Sequence, residues 1–197
     1  MTDHKDKIFK DWIKFLDADE VKFQLTCASL YLTAYELLID SVVKKTKDFF
    51  INGLQDGEIN YSDEYTKVKA FYPKDIVIAS SMWLMDLSAI DNSDLEKIKD
   101  FKNYRNQIAH EIPKVISDTS HDVKTSYIKE IRDLYRKINL WWFVEFEATI
   151  NPDLDGVDLE KLDYDEVLSF VMLPMDYMVN IVNDEIKKRD IRKSTTK

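Results

Sequence analysis

A permanent cation, a carboxamide and a titratable imidazole fall within six residues of this chain, at Arg105, Asn106 and His110. A guanidinium offers fork-shaped donors to phosphate oxygens, and an imidazole can take or give a proton near neutral pH. With the amide of Asn106 beside them, these groups can hold a phosphate and move protons on it without a metal.

The elements around these residues must place them on a helix. Ser93-Asp94-Leu95-Glu96 has the spacing of a capping box and opens that helix, and Pro113 is expected to stop it. Leu95, Ile98, Phe101, Ile108 and Ile112 form its apolar stripe, and Arg105 falls in line with them. A charge in such a position costs free energy unless it is paired or lines a polar cleft. Asn106 and His110 share a neighbouring face, with His110 about 140° around an ideal helix from Arg105.

The form Arg-Asn-x-x-x-His resembles the signature of the HEPN superfamily. That resemblance implies an all-helical domain, often a dimer, and in many members a metal-independent ribonuclease of toxin–antitoxin or anti-phage systems. Carried over by position, it makes Arg105, Asn106 and His110 the catalytic residues, with RNA (tRNA or mRNA) as substrate and a cognate antitoxin protein as a further partner. A 2′-hydroxyl would attack the adjacent phosphate, Arg105 would hold its oxygens, Asn106 would orient it, and His110 would carry a proton. The reaction needs both a base and an acid, yet the chain has only three histidines, His4, His110 and His121. A homodimer with facing motif helices would supply the second imidazole. Where HEPN toxins paired with a nucleotidyltransferase carry a Tyr two residues after the motif His, this chain has Ile112, so control by modifying that tyrosine is not expected.

The competing reading is structural. Arg105 would pair with an acid such as Glu36 or Asp40, His110 would be an ordinary helix-end histidine, and the chain would be a non-catalytic HEPN-like protein-interaction module. A net charge of -9 and a pI near 4.9 favour it, because non-specific nucleic-acid affinity rests on neutralised phosphates. Lys102, Lys129, Arg132 and Arg136 are the candidates for an RNA-facing strip. Glu130 and Asp133, interleaved on the same helix as the last three, suit a solvated charged face instead.

The remaining chain reads as helices joined by short polar segments. Ile8 to Leu16 is amphipathic, and a long helix from about Glu20 to Phe50 follows the cap-like Asp17 and Asp19. That helix is apolar on most sides and belongs at the centre of a bundle; the polar residues breaking Val21 to Val43 argue against a membrane span. Asn52-Gly53 and Asp56-Gly57 mark turns. Tyr72-Pro73 opens a helix to about Ile90, a further one spans roughly Val123 to Thr149, and Tyr164 to Lys188 is helical with a kink at Pro174. Trp141, Trp142, Phe143 and Phe146 read as packing residues. The basic tail, 186–197, is expected to fray.

These features give one all-α domain over residues 1–197, an antiparallel bundle of long helices, HEPN-like in kind. The lone cysteine, Cys27, and the charged N-terminus without a signal-like apolar block point to a reducing, cytoplasmic setting. Asn151 to Gly156 mimics the start of an EF-hand loop, but Leu162 stands where a bidentate Glu is needed, so no calcium site is expected. No phosphate-binding loop, dinucleotide fingerprint or zinc spacing occurs, and neither cofactor nor metal is anticipated.

Overall fold

In the computed structural model, residues 2–55 and 57–195 are described, residues 2 and 3 by backbone alone. The chain is predominantly helical: α1 (Thr2–Leu16), α2 (Ala18–Ile39), α3 (Lys45–Phe49), the strands β1 (Ile51–Gln55) and β2 (Glu58–Tyr61), then α4 (Glu64–Phe71), α5 (Ile76–Asp86), α6 (Asn92–Ser117), α7 (Ser126–Trp142), α8 (Ala148–Ile150) and α9 (Tyr164–Thr195).

Helix α2 is the axis of the molecule. Asp17 caps it by accepting from the backbone N–H groups of Asp19 and Glu20. Its helical path runs on through a π turn, Asp40–Lys44, into α3, so the expected single helix to about residue 50 is present with one local widening. By length and composition Ala18–Phe49 could cross a membrane. Instead Cys27, Tyr31, Ala34, Leu38 and Val42 are fully buried against the surrounding helices.

Pairs of contacts fix the helix directions. Gln24 accepts from the Val123 N–H while Glu36 meets Arg105, so α6 runs antiparallel to α2. Ser41 meets Asn139, and Lys45 meets Glu147, so α7 runs in the same direction as α2. Glu20 pairs with Arg189, and Arg132 with Asp176, which sets α9 antiparallel to both. The bundle is thus mostly antiparallel, with one parallel neighbour pair at its core. A knot of rings from Phe49, Trp83, Trp142 and Phe146 closes one end, the packing role read for the aromatic cluster.

Several local expectations are corrected. Helix α6 is capped by Asp91, in a capping box with Asp94, rather than by Ser93. Pro113 does not end it: non-helical angles at Glu111 absorb the proline, and the helix continues to Ser117. Helix α5 starts at an Asp75 cap and stops at Asp86, short of Ile90. The region after Phe50 forms an antiparallel hairpin whose turn holds Gly57 at φ 84°, while the Asp56 of that turn lies outside the described residues. Helix α9 passes through Pro174 and stays helical to Thr195, so the frayed tail is replaced by docked helix at least that far; residues 196 and 197 lie outside the described residues.

Candidate functional site

The segment from Arg105 to His110 is regular helix, since the one non-helical residue in α6 is Glu111, beyond the motif. Arg105 and His110 therefore diverge by about 140°, as an undistorted pitch requires. The apolar stripe is completed by Tyr104 rather than Arg105. Tyr104 is buried, packs edge-on against Tyr31 at 4.9 Å, and its hydroxyl accepts from the Lys124 N–H. Arg105, one residue on, is left at the rim of the α2–α6 seam, with its side chain 38% exposed.

There the guanidinium meets α2. Arg105 donates to Glu36 Oε1 from Nη2 at 3.0 Å and from Nε at 3.3 Å. Tyr35 lies beneath this pair; burial pushes its hydroxyl pKa up to about 12, the Glu36 charge adds to the rise and Arg105 opposes it. Lys102, one turn before Arg105, pairs with Asp75, the residue that caps α5. Two cations and two acids thus form a polar margin where α2, α5 and α6 meet. The acid partner named from sequence, Glu36, is the one found.

Asn106 and His110 stand apart from that margin. Both are exposed, and neither makes a hydrogen bond or ion pair among the described residues. Beyond His110 the helix bends, and a small cavity of about 120 Å³ opens beside Gln107 and Glu111. His121 lines it from the loop after α6, with Nδ1 3.0 Å from Asp118 Oδ2 and Nε2 4.0 Å from Glu111 Oε2. The Glu111 carboxyl is held below its usual range by bonds from Lys114 and then Gln107. Sequence reading set His121 aside because it lies outside the motif; only the fold brings it next to the residue that follows His110.

The proposed basic strip does not converge on the motif. Arg132 donates to Asp176 at 2.8 Å, and Arg136 to Asp165 at 2.5 Å, both acids of α9. Arg132 lies about 140° around α7 from Tyr127 and Lys137, the residues that meet α6. Lys129 is exposed, and Lys102 is the one candidate near Arg105. No group of three or more metal-ligating side chains occurs among the described residues.

Comparison with protein-family models, curated proteins and solved structures gave no match for this chain. What the site can do therefore rests on its own chemistry. Helix α6 thus carries a guanidinium at the α2 seam and, on a separate face, an amide and an imidazole open to solvent, while a second, acid-flanked imidazole lies beside Glu111.

Proposed function

We propose that the chain is a metal-independent RNA endonuclease of HEPN type, acting in the cytoplasm in toxin–antitoxin or anti-phage defence. The observation that carries this reading is that Arg105, Asn106 and His110 all reach solvent from one regular stretch of α6. A guanidinium serving only the core would be expected to lie buried against its acid. The 2′-hydroxyl attacks the neighbouring phosphorus while an imidazole takes its proton, and the bond from phosphorus to the 5′-oxygen breaks as a second imidazole protonates the leaving oxygen. A 2′,3′-cyclic phosphate and a 5′-hydroxyl result. Arg105 stabilises the charge on the non-bridging oxygens, and Asn106 orients the phosphate.

The divergence of Arg105 from His110 makes one copy insufficient. A two-fold dimer with facing motif helices brings a second Arg105 and a second His110 across the interface, which supplies acid and base together. The decisive measurement compares wild type with Arg105→Ala and His110→Ala, scoring growth arrest and cleavage of total RNA in chelator. Loss of cleavage by at least about 100-fold in both variants supports the reading. Equal behaviour of all three rejects it.

A second reading, a HEPN-like interaction module without catalysis, is favoured by the Arg105–Glu36 pair, which already occupies the guanidinium. Under that reading all three proteins leave RNA intact, and the variants alter only partner capture.

A further inference from the structure

Helix α1 docks on the bundle by its polar side. Lys7 reaches Asp118 at 3.0 Å, Asp11 accepts from the Thr119 backbone N–H at 2.9 Å, and Lys14 donates at 2.8 Å to both the Asp118 carbonyl and Asp122. Lys14 is only 6% exposed, whereas Leu16 is 74% and Phe9 68% exposed. Trp12 and Ile13 stand out with them, flanked by Ile8 and Phe15. At about 100° per residue the apolar set is centred nearly opposite the docked set.

This inverts the usual arrangement, in which an amphipathic helix buries its apolar stripe. Together the six side chains present roughly 600 Å² to water, as much as the largest patch on an ordinary monomer. Two such faces in complete contact would bury at most about 1,200 Å², the lower limit of a specific interface. Between α1 and α6 an open groove of about 590 Å³, walled by Trp12, Phe15, Pro113 and Ile116, leaves room for incoming side chains.

We infer that α1 is a self-association helix: a second copy of this chain lays its own α1 antiparallel across the apolar face, with the two-fold axis near Trp12. Charge selects that occupant and that direction. Lys5 is exposed at the N-terminal end of the stripe; just past its C-terminal end stand Asp17, which caps α2, and Asp19, which stays 65% exposed while pairing with Arg192 at 2.7 Å. Antiparallel pairing sets Lys5, which offsets the neighbouring Asp6, against Asp17 and Asp19 of the other copy and opposes the helix dipoles; parallel pairing sets those two acids against their own counterparts. These contacts offset repulsion between two chains of net charge -9 each. An anionic lipid surface is a poorer fit, since the rim carries Asp6, Asp17 and Asp19. Pro113 follows His110 on α6, so the pairing surface begins where the motif ends. The inference stands on α1 alone and does not require that the motif be catalytic.

Sedimentation equilibrium of the full chain tests it. Wild type should run at twice the chain mass of 23.3 kDa. Phe9→Glu/Leu16→Glu should weaken dimerisation by about 100-fold or more, the loss typical of central anchors, with an unchanged circular-dichroism melt. Lys5→Glu should weaken it, Asp19→Lys should weaken it while also removing the Arg192 partner within the chain, and only recovery in the double exchange reports the contact between copies, which no parallel or lipid-bound arrangement explains. A monomeric wild type overturns the inference, as does a dimer unaffected by Phe9→Glu/Leu16→Glu or one broken instead by Phe170→Glu on α9. So does a monomer that sediments with vesicles of anionic lipid. An inert dimer would sink the nuclease alone, and a monomer with Arg105-dependent cleavage would sink this pairing and the two-copy site while leaving the nuclease.

Discussion

Arg105 Nη2 lies 3.0 Å from Glu36 Oε1 across the α2–α6 seam, with both side chains open to solvent. An exposed pair of this kind contributes at most about 1 kcal/mol to folding. Its larger consequence is chemical, because a phosphate must share or displace Glu36 to reach the guanidinium. Glu36→Gln removes that competing charge while keeping the side chain's shape. Apparent affinity for single-stranded RNA, and any Arg105-dependent cleavage, should rise several-fold, and the gain should shrink as salt is added. Stability should move by less than about 0.5 kcal/mol. Binding that falls instead would show that Glu36 positions Arg105 rather than masks it.

How far the sequence led, and where it stopped, follows from what periodicity encodes. The central helix was legible because apolar residues cover most of its sides, and only a narrow strip through Lys22, Leu25, Ser29, Thr33 and Glu36 meets solvent. The hairpin was not: its Asp-Gly turn is a strong signal, but Asn52, Gly53, Gln55, Glu58 and Asn60 lack the alternation of a half-buried strand, and both strands are almost entirely exposed. At the site, a 3.6-residue repeat does not separate adjacent positions, so Arg105 took the core place that Tyr104 fills. The acids of α9 that hold Arg132 and Arg136 lie 44 and 29 residues away in sequence, beyond any local pattern. Periodicity also shows that α1 has an apolar face without showing which way it points. Outward is the answer only the fold supplies.

Acid should release α1 before it melts the bundle. The Asp118 carboxyl lies well below its ordinary range because Ser120 and then Lys7 bond its charged form. Asp11 is lowered by Lys7 and Thr119. Burial alone would raise Asp122, but Lys14 and Arg189 outweigh it and the net shift is downward. Each of these acids titrates lower when folded than when free. Its contribution is therefore complete above the unfolded value, about 3.9, and is lost as pH falls through the lowered folded values. The indole resonance of Trp12, followed by NMR, should shift below about pH 4 while those of Trp83 and Trp142 hold. Coincident loss of all three would mean that α1 docking is not a separate step.

Cys27 should be inert in the folded protein. It is fully buried, and burial followed by the nearby Glu185 charge pushes its thiol up to about 12. The thiolate is the reactive form, so almost none exists at mildly alkaline pH. A chromogenic disulfide reagent should label the native chain only at the rate of global opening and label it at once in urea. Rapid labelling of native protein would place Cys27 in a breathing region.

The last turns of α9 should matter to stability as a frayed tail would not. Arg189 donates from Nε to Glu20 at 2.9 Å and from Nη2 to Asp122 at 2.8 Å, and its guanidinium carbon sits 4.5 Å over the Phe23 ring. Glu20 is 7% exposed, so removing Arg189 strands a nearly buried carboxylate whose remaining contacts are the Gln24 amide and, at 3.7 Å, Lys193. Breaking a buried pair from one side costs about 3–5 kcal/mol, less here because Arg189 is itself partly exposed. Arg189→Ala should therefore lower unfolding free energy in urea by about 2–4 kcal/mol. Arg189→Ala/Glu20→Gln should recover part of that loss, because no unpaired charge is left behind. Lys187→Ala, on the exposed side of the same turns, should be neutral within about 0.5 kcal/mol. If Arg189→Ala proved as neutral as Lys187→Ala, the segment after residue 186 would be loose in solution, and the contact between the two ends of the chain would not hold.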